Sequence, residues 1–161
     1  MNRKKIFTSL LLILTSAASV NTFATVERKS YAGIACDATS NFSEVLKATN
    51  GNIENRQTSS VTVICPIVRD VHATGNRVKA VVNVRNMHAT GNIACWLWSR
   101  NQDGAYVSQA YATTAGTGNT TLTLGYINGE LTGDYFFRCN IPGRYNNSSS
   151  LIRNYYVLEE Y

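Results

Sequence analysis

The chain holds only two histidines and four cysteines, and neither residue type is spaced for chemistry. No C-x-x-C or C-x-x-H occurs, and no two cysteines lie close in sequence, which excludes the usual zinc ligand sets and the close redox pair. G-x-S-x-G is missing, and the many serines have no partner that would activate them. A glycosidase needs two carboxylates across a groove; here Glu130 and Asp134 share one turn region, and Glu159 and Glu160 sit at the tail. The loop around Asp103 lacks the spaced oxygens of a calcium site. We assign no catalytic residue, no metal and no cofactor. Convincing amphipathic helices are absent as well.

Charge is scarce once the N-terminus is set aside. Residues 1–5 carry Arg3, Lys4 and Lys5, an apolar run follows, and N-T-F-A closes the segment. This is the pattern of a secretory signal peptide cleaved after Ala24. The apolar run is short for about 30 Å of hydrocarbon, and polar Thr8, Ser9, Thr15 and Ser16 interrupt it. No cysteine near the cleavage point could take a lipid. Removing residues 1–24 from the 161 leaves 137, enough for one core, so 25–161 is expected to be a single domain. Three of the fifteen bases lie in the leader and all ten acids follow it, leaving a net charge of +2. That is too little for a nucleic-acid partner. Arg69, Arg77, Lys79, Arg85, Arg100 and Arg138 read as solvated faces of strands. The domain is expected in the periplasm or outside the cell, with no membrane insertion after cleavage.

What the chain does have is alternation. Residues 77–100 read R-V-K-A-V-V-N-V-R-N, a polar loop, then I-A-C-W-L-W-S-R, the signature of an antiparallel pair of strands. Val78, Ala80, Val82 and Val84 share one face of the first run. In the second, Cys95 and Leu97 oppose Trp96 and Trp98. Segment 59–70 is another strand, with Pro66 marking an edge or a bulge. Asn101-Gln102-Asp103-Gly104 is a hairpin turn, since Asp-Gly favours positive φ. Tyr135, Phe137, Cys139 and Ile141 fall together on a late strand. Segment 30–36 reads as the first strand after a short leader at 25–29, 43–49 as a helical turn or a strand, and 151–159 as the last strand. About eight short strands separated by turns specify an all-β, antiparallel two-sheet sandwich. A jelly-roll-like arrangement fits better than an immunoglobulin one, because Trp96 adjoins Cys95 instead of lying midway between paired cysteines.

The even cysteine count argues for two structural disulfides. Three pairings are possible. Cys36–Cys65 with Cys95–Cys139 is preferred, because each then joins successive portions of the chain. The chain also repeats H-A-T-G-N, at 72–76 and at 88–92. A two-histidine site is disfavoured: the loops flank one strand and would emerge about 30 Å apart at its two ends. A pair of compact turns accounts for the repeat.

One feature bears on a binding site, and it reads two ways: Trp96 and Trp98 are the packed face, or covered by loops, with Cys95 in a peripheral staple, or else they face outward. If Cys95 points to its disulfide partner, Trp96 and Trp98 point outward, and exposed rings could stack on a sugar or anchor a protein. Tyr106, Tyr111, Tyr155 and Tyr156 are candidates to join them. The framework of Cys65-Pro66, Cys95, Tyr135 to Pro142 and Tyr155 to Glu159 resembles a loose group of small secreted bacterial β-sandwich proteins with four framework cysteines. The resemblance implies this fold and export from a bacterium; it brings no activity and no active-site residue. The expected role is non-enzymatic, structural or protein-binding. The alternatives are a carbohydrate-binding module using Trp96 and Trp98, and a small hydrolase with a site assembled from distant loops.

Overall fold

A computed structural model describes residues 25–39, 45–47, 50–69, 75–129 and 132–161. The leader at 1–24, His72 and Glu130 lie outside the described residues. Alternation sets the architecture: β-strands expose successive side chains on opposite faces, so each run buries one face against a second layer. Eleven strands are described: β1 (Val26–Ala32), β2 (Asp37–Ala38), β3 (Val45–Lys47), β4 (Ile53–Asn55), β5 (Val61–Pro66), β6 (Arg77–Asn86), β7 (Ala94–Arg100), β8 (Tyr106–Thr113), β9 (Gly118–Asn128), β10 (Asp134–Ile141) and β11 (Ser150–Glu160). They form two antiparallel sheets. Sheet A runs β3-β4-β11-β6-β9, with β1 continuing beside β11 beyond β4; sheet B runs β2-β5-β10-β7-β8.

The runs at 77–86 and 94–100 are not partners. β6 lies in sheet A and β7 in sheet B, so the loop between them crosses the sandwich instead of closing a hairpin. Both strands need an inner face, and alternation satisfies that equally in either layer. The 25–29 segment is the start of β1, paired along its length with β11, and 33–35 is a 3₁₀ turn. The undecided 43–49 segment contributes β3, and the brief 53–55 segment is β4. β5 is internal, not an edge. Its Pro66 is tolerated because short β2 pairs only with Val63 and Ile64 and leaves the strand end free. The expected turn after β7 is present: Gly104 has φ +79°, and Asn101 Oδ1 accepts the N–H groups of Asp103 and Ala105.

Val78, Ala80, Val82 and Val84 face Phe137, Cys139 and Ile141 in the core. Cys36–Cys65 and Cys95–Cys139 are the disulfides. Cys95 and Cys139 are directly opposed on β7 and β10, and Cys36 precedes β2 where it meets β5. The second staple therefore joins neighbouring strands of sheet B, the first ties the residue before β2 to β5, and all four cysteines are fully buried.

Tyr155 ties the layers together. Buried on β11, it meets Phe137 edge-on at 4.5 Å, stacks on Tyr31 at 4.8 Å, and its O–H donates to the Pro66 carbonyl of the opposite sheet at 2.8 Å. Burial, and secondarily the neighbouring Tyr31, push its phenol well above the ordinary tyrosine range. A raised folded pKa favours the neutral form. Its stabilisation is complete below the unfolded pKa of about 10 and is lost as pH rises toward the folded value. Tyr155→Phe should cost about 1 kcal/mol at neutral pH through the lost hydrogen bond. The variant should also lose less stability than the parent above about pH 10. Urea midpoints on both sides of that pH check both; equal slopes would show that Tyr155 does not carry the alkaline limb.

Candidate functional site

The outer face of sheet B gathers the aromatic candidates. Along β7, Cys95 and Leu97 are fully buried while Trp96 and Trp98 turn outward and are half-buried. Across the sheet, Trp96 pairs with Tyr111 on β8 and Arg138 on β10, and Trp98 pairs with Gln109 and Phe136. A register shift between Ser99 and Arg100 places Tyr106 opposite Arg100. Strict alternation would put Tyr106 and Tyr111, five apart, on opposite faces. The shift brings Tyr106 to 4.3 Å from Trp98, while Tyr111 lies 5.1 Å from Trp96.

These rings do not form one flat platform. Tyr106 and Tyr111 are tilted by 48° and 44° against their tryptophans, and only Trp98 and Phe136 are parallel, at 2° with centroids 6.5 Å apart. Cations interleave with them. Arg138 stands 5.6 Å from the Trp96 ring and 6.0 Å from Trp98, and Arg100 stands 4.7 Å from Phe136. Arg100 also clasps Asp134 through two hydrogen bonds of 3.1 and 2.7 Å, which hold its pKa above the ordinary value. Tyr106 and Tyr111 remain 65% and 54% exposed, whereas the indole N–H of Trp98 is shielded and has no hydrogen-bond partner among the described residues.

Two other aromatic candidates lie elsewhere. Tyr155 is in the core, and Tyr156 is on the outer face of sheet A beneath Arg28, 3.8 Å from its ring. Phe136 was missed in the sequence, although its place between Tyr135 and Phe137 on an alternating strand put it on the outer face. The supposedly scattered bases are sorted by layer: Arg77, Lys79 and Arg85 alternate with the core residues of β6, and Arg100 and Arg138 sit among the rings of sheet B.

His88 serves a turn. Its Nδ1 accepts the N–H of Gly91 at 2.7 Å, and its ring leans on Tyr145 at 5.1 Å. Among the described residues, no group of three or more His, Cys, Asp and Glu side chains could hold a metal ion. Among the described residues, no helix is long and apolar enough to cross a membrane.

No family model matches the chain, and no curated protein matches it. Solved structures with a similar course include a family two carbohydrate esterase from Cellvibrio japonicus, with a TM-score of 0.42 at 6% identity over 86% of this chain and 35% of that one. Infectious bursal disease virus Gx strain has a TM-score of 0.43 at 10% identity over 84% of this chain and 32% of the other. The chain thus spans about a third of each of these structures.

Proposed function

We propose that this chain is an exported, non-enzymatic binding domain that docks another protein on the outer face of sheet B, centred on Trp96 and Trp98. The observation that carries this is the Trp–Tyr–Arg stripe across β8, β7 and β10. Tryptophan, tyrosine and arginine dominate the energetics of protein interfaces, because they bury much area for few lost rotamers. Here paired strands fix the backbone beneath the side chains, so no loop has to order on binding. Tyr106 lies over Trp98; a partner that moves it could offer the indole N–H the acceptor it lacks. Two buried disulfides and the leader support an oxidising compartment. The parallel Trp98 and Phe136 rings favour a second reading, stacking on a sugar.

The test is a photo-crosslinking residue placed at Tyr106 or Tyr111 in cells that make the protein, with Tyr126 on sheet A as control. Adducts with another polypeptide from the first two positions and not the third are expected. Equal adducts at all three, or none, would overturn protein docking. Binding on a glycan array that Trp98→Ala abolishes would put the sugar reading in its place.

A further inference from the structure

The opposite layer carries a different kind of site. A cavity of about 410 Å³ lies on the outer face of sheet A, and Arg56, Arg85 and Arg144 line it together with one carboxylate, Glu54, and with Ser148 and Ser149. Three separate parts of the chain supply these cations. Arg85 comes from β6, where it pairs with Leu151 of β11, itself paired with Glu54 of β4. Arg56 follows β4, and Arg144 follows β10.

Buried amides hold that convergence in place. Asn55, fully buried, donates to the carbonyls of Ser59, Ile141 and Pro142 and accepts the N–H of Gln57, so it ties the Arg56 turn to the end of β10. The Arg144 N–H then donates to Gln57 O at 2.7 Å, and a Cβ at Gly143 would run into the Thr58 carbonyl. Asn146 and Asn147 both adopt positive φ and turn the chain back at the Tyr145–Ser148 bridge, which brings Ser148 and Ser149 to the cavity. The backbone is thus arranged before any ligand arrives.

The charge is left unbalanced. Glu54 pairs with Arg56 at 3.2 Å, while Arg85 and Arg144 have no carboxylate partner among the described residues. Arg85 Nε donates to Met87 Sδ, and Arg144 donates to Asn147 Oδ1. Guanidinium groups match oxyanions because their planar forks give paired, charge-assisted hydrogen bonds. From this arrangement we infer that the cavity is an oxyanion-binding site, taking a carboxylate, sulfate or phosphate group on a small polar ligand. Arg85 and Arg144 are its anion-binding side chains, and Ser148 and Ser149 are hydroxyl donors. The site is independent of the aromatic face, so each can fail without the other.

The test uses the oxidised 25–161 protein, with thermal unfolding followed against sodium sulfate, sodium phosphate and sodium glucuronate at constant ionic strength. A saturable rise in Tm of a few degrees is expected with at least one of them. It should disappear in Arg85→Gln/Arg144→Gln and persist in Arg138→Gln on the other sheet. Arg85 and Arg144 are exposed, so the double variant should keep the parent Tm without anion. A response to glucuronate alone would identify a sugar-borne acid; a response to sulfate or phosphate would show that the bare oxyanion suffices. A non-saturating rise that is equal in parent and double variant is general salt exclusion and would overturn the site, as would no response to any of the three.

Discussion

Cys95→Ala/Cys139→Ala is expected to lower Tm by roughly 10–15 °C, the largest effect of any change that leaves the strands intact. The disulfide joins residues 44 apart in sequence. Closing such a loop removes about 4 kcal/mol of unfolded-chain freedom in an entropic account. Native packing supports an effect of that size, because both cysteines are fully buried in the middle of sheet B. Alanine leaves two small voids and no unpaired polar group, so the loss reports the cross-link. Differential scanning calorimetry of the oxidised double variant checks this. A Tm within a few degrees of the parent would mean that β7 and β10 are held by pairing and packing alone. The same burial predicts that a mild phosphine reductant leaves the bond intact until the protein is unfolded.

Asn86→Ala should cost at least about 3 kcal/mol, comparable to deleting a large core side chain. Asn86 ends β6 fully buried, and its amide donates to Gly91 O, Thr114 Oγ1 and Gly116 O at 2.8–3.2 Å. Its oxygen accepts from the His88 N–H and the Ser150 hydroxyl. It therefore pins the loop after β6, the loop before β9 and the start of β11. Truncation strands the buried hydroxyls of Thr114 and Ser150, each costing about 1–3 kcal/mol, and removes the partner of three part-buried backbone groups besides. Asn83 is the control: its side chain bonds Asn154 and Thr121 on the exposed surface. Asn83→Ala should cost well under 1 kcal/mol, because water replaces what is lost. Urea unfolding of the two variants decides it, and equal destabilisation would refute the assignment of Asn86 as a buried hub.

Asn86 shows how far the sequence reaches: by alternation it shares the inward face of Val78, Ala80, Val82 and Val84, while Asn83 falls on the outer one. What alternation does not convey is that loops close over that end of β6, so that the inward amide meets backbone and hydroxyl partners instead of water. The three cavity arginines were equally hidden, since Arg56, Arg85 and Arg144 come from separate parts of the chain and meet only through sheet pairing. Pairing was itself illegible where β6 and β7 read as a hairpin. Period-two alternation tells each strand which face to bury, but not which sheet it joins.

The inward and outward faces were determined by the sequence. Backbone sterics turn successive strand residues to opposite sides, so Cys95 and Leu97 had to oppose Trp96 and Trp98 once either pair was buried. The all-β, two-layer architecture follows from the same repeat. The tertiary structure decided the rest: the crossing from β6 to β7, the register shift that brings Tyr106 onto Trp98, and the distant partners that meet the amides of Asn55 and Asn86. Those outcomes depend on contacts between residues far apart in the chain, whose free energies local sterics do not contain.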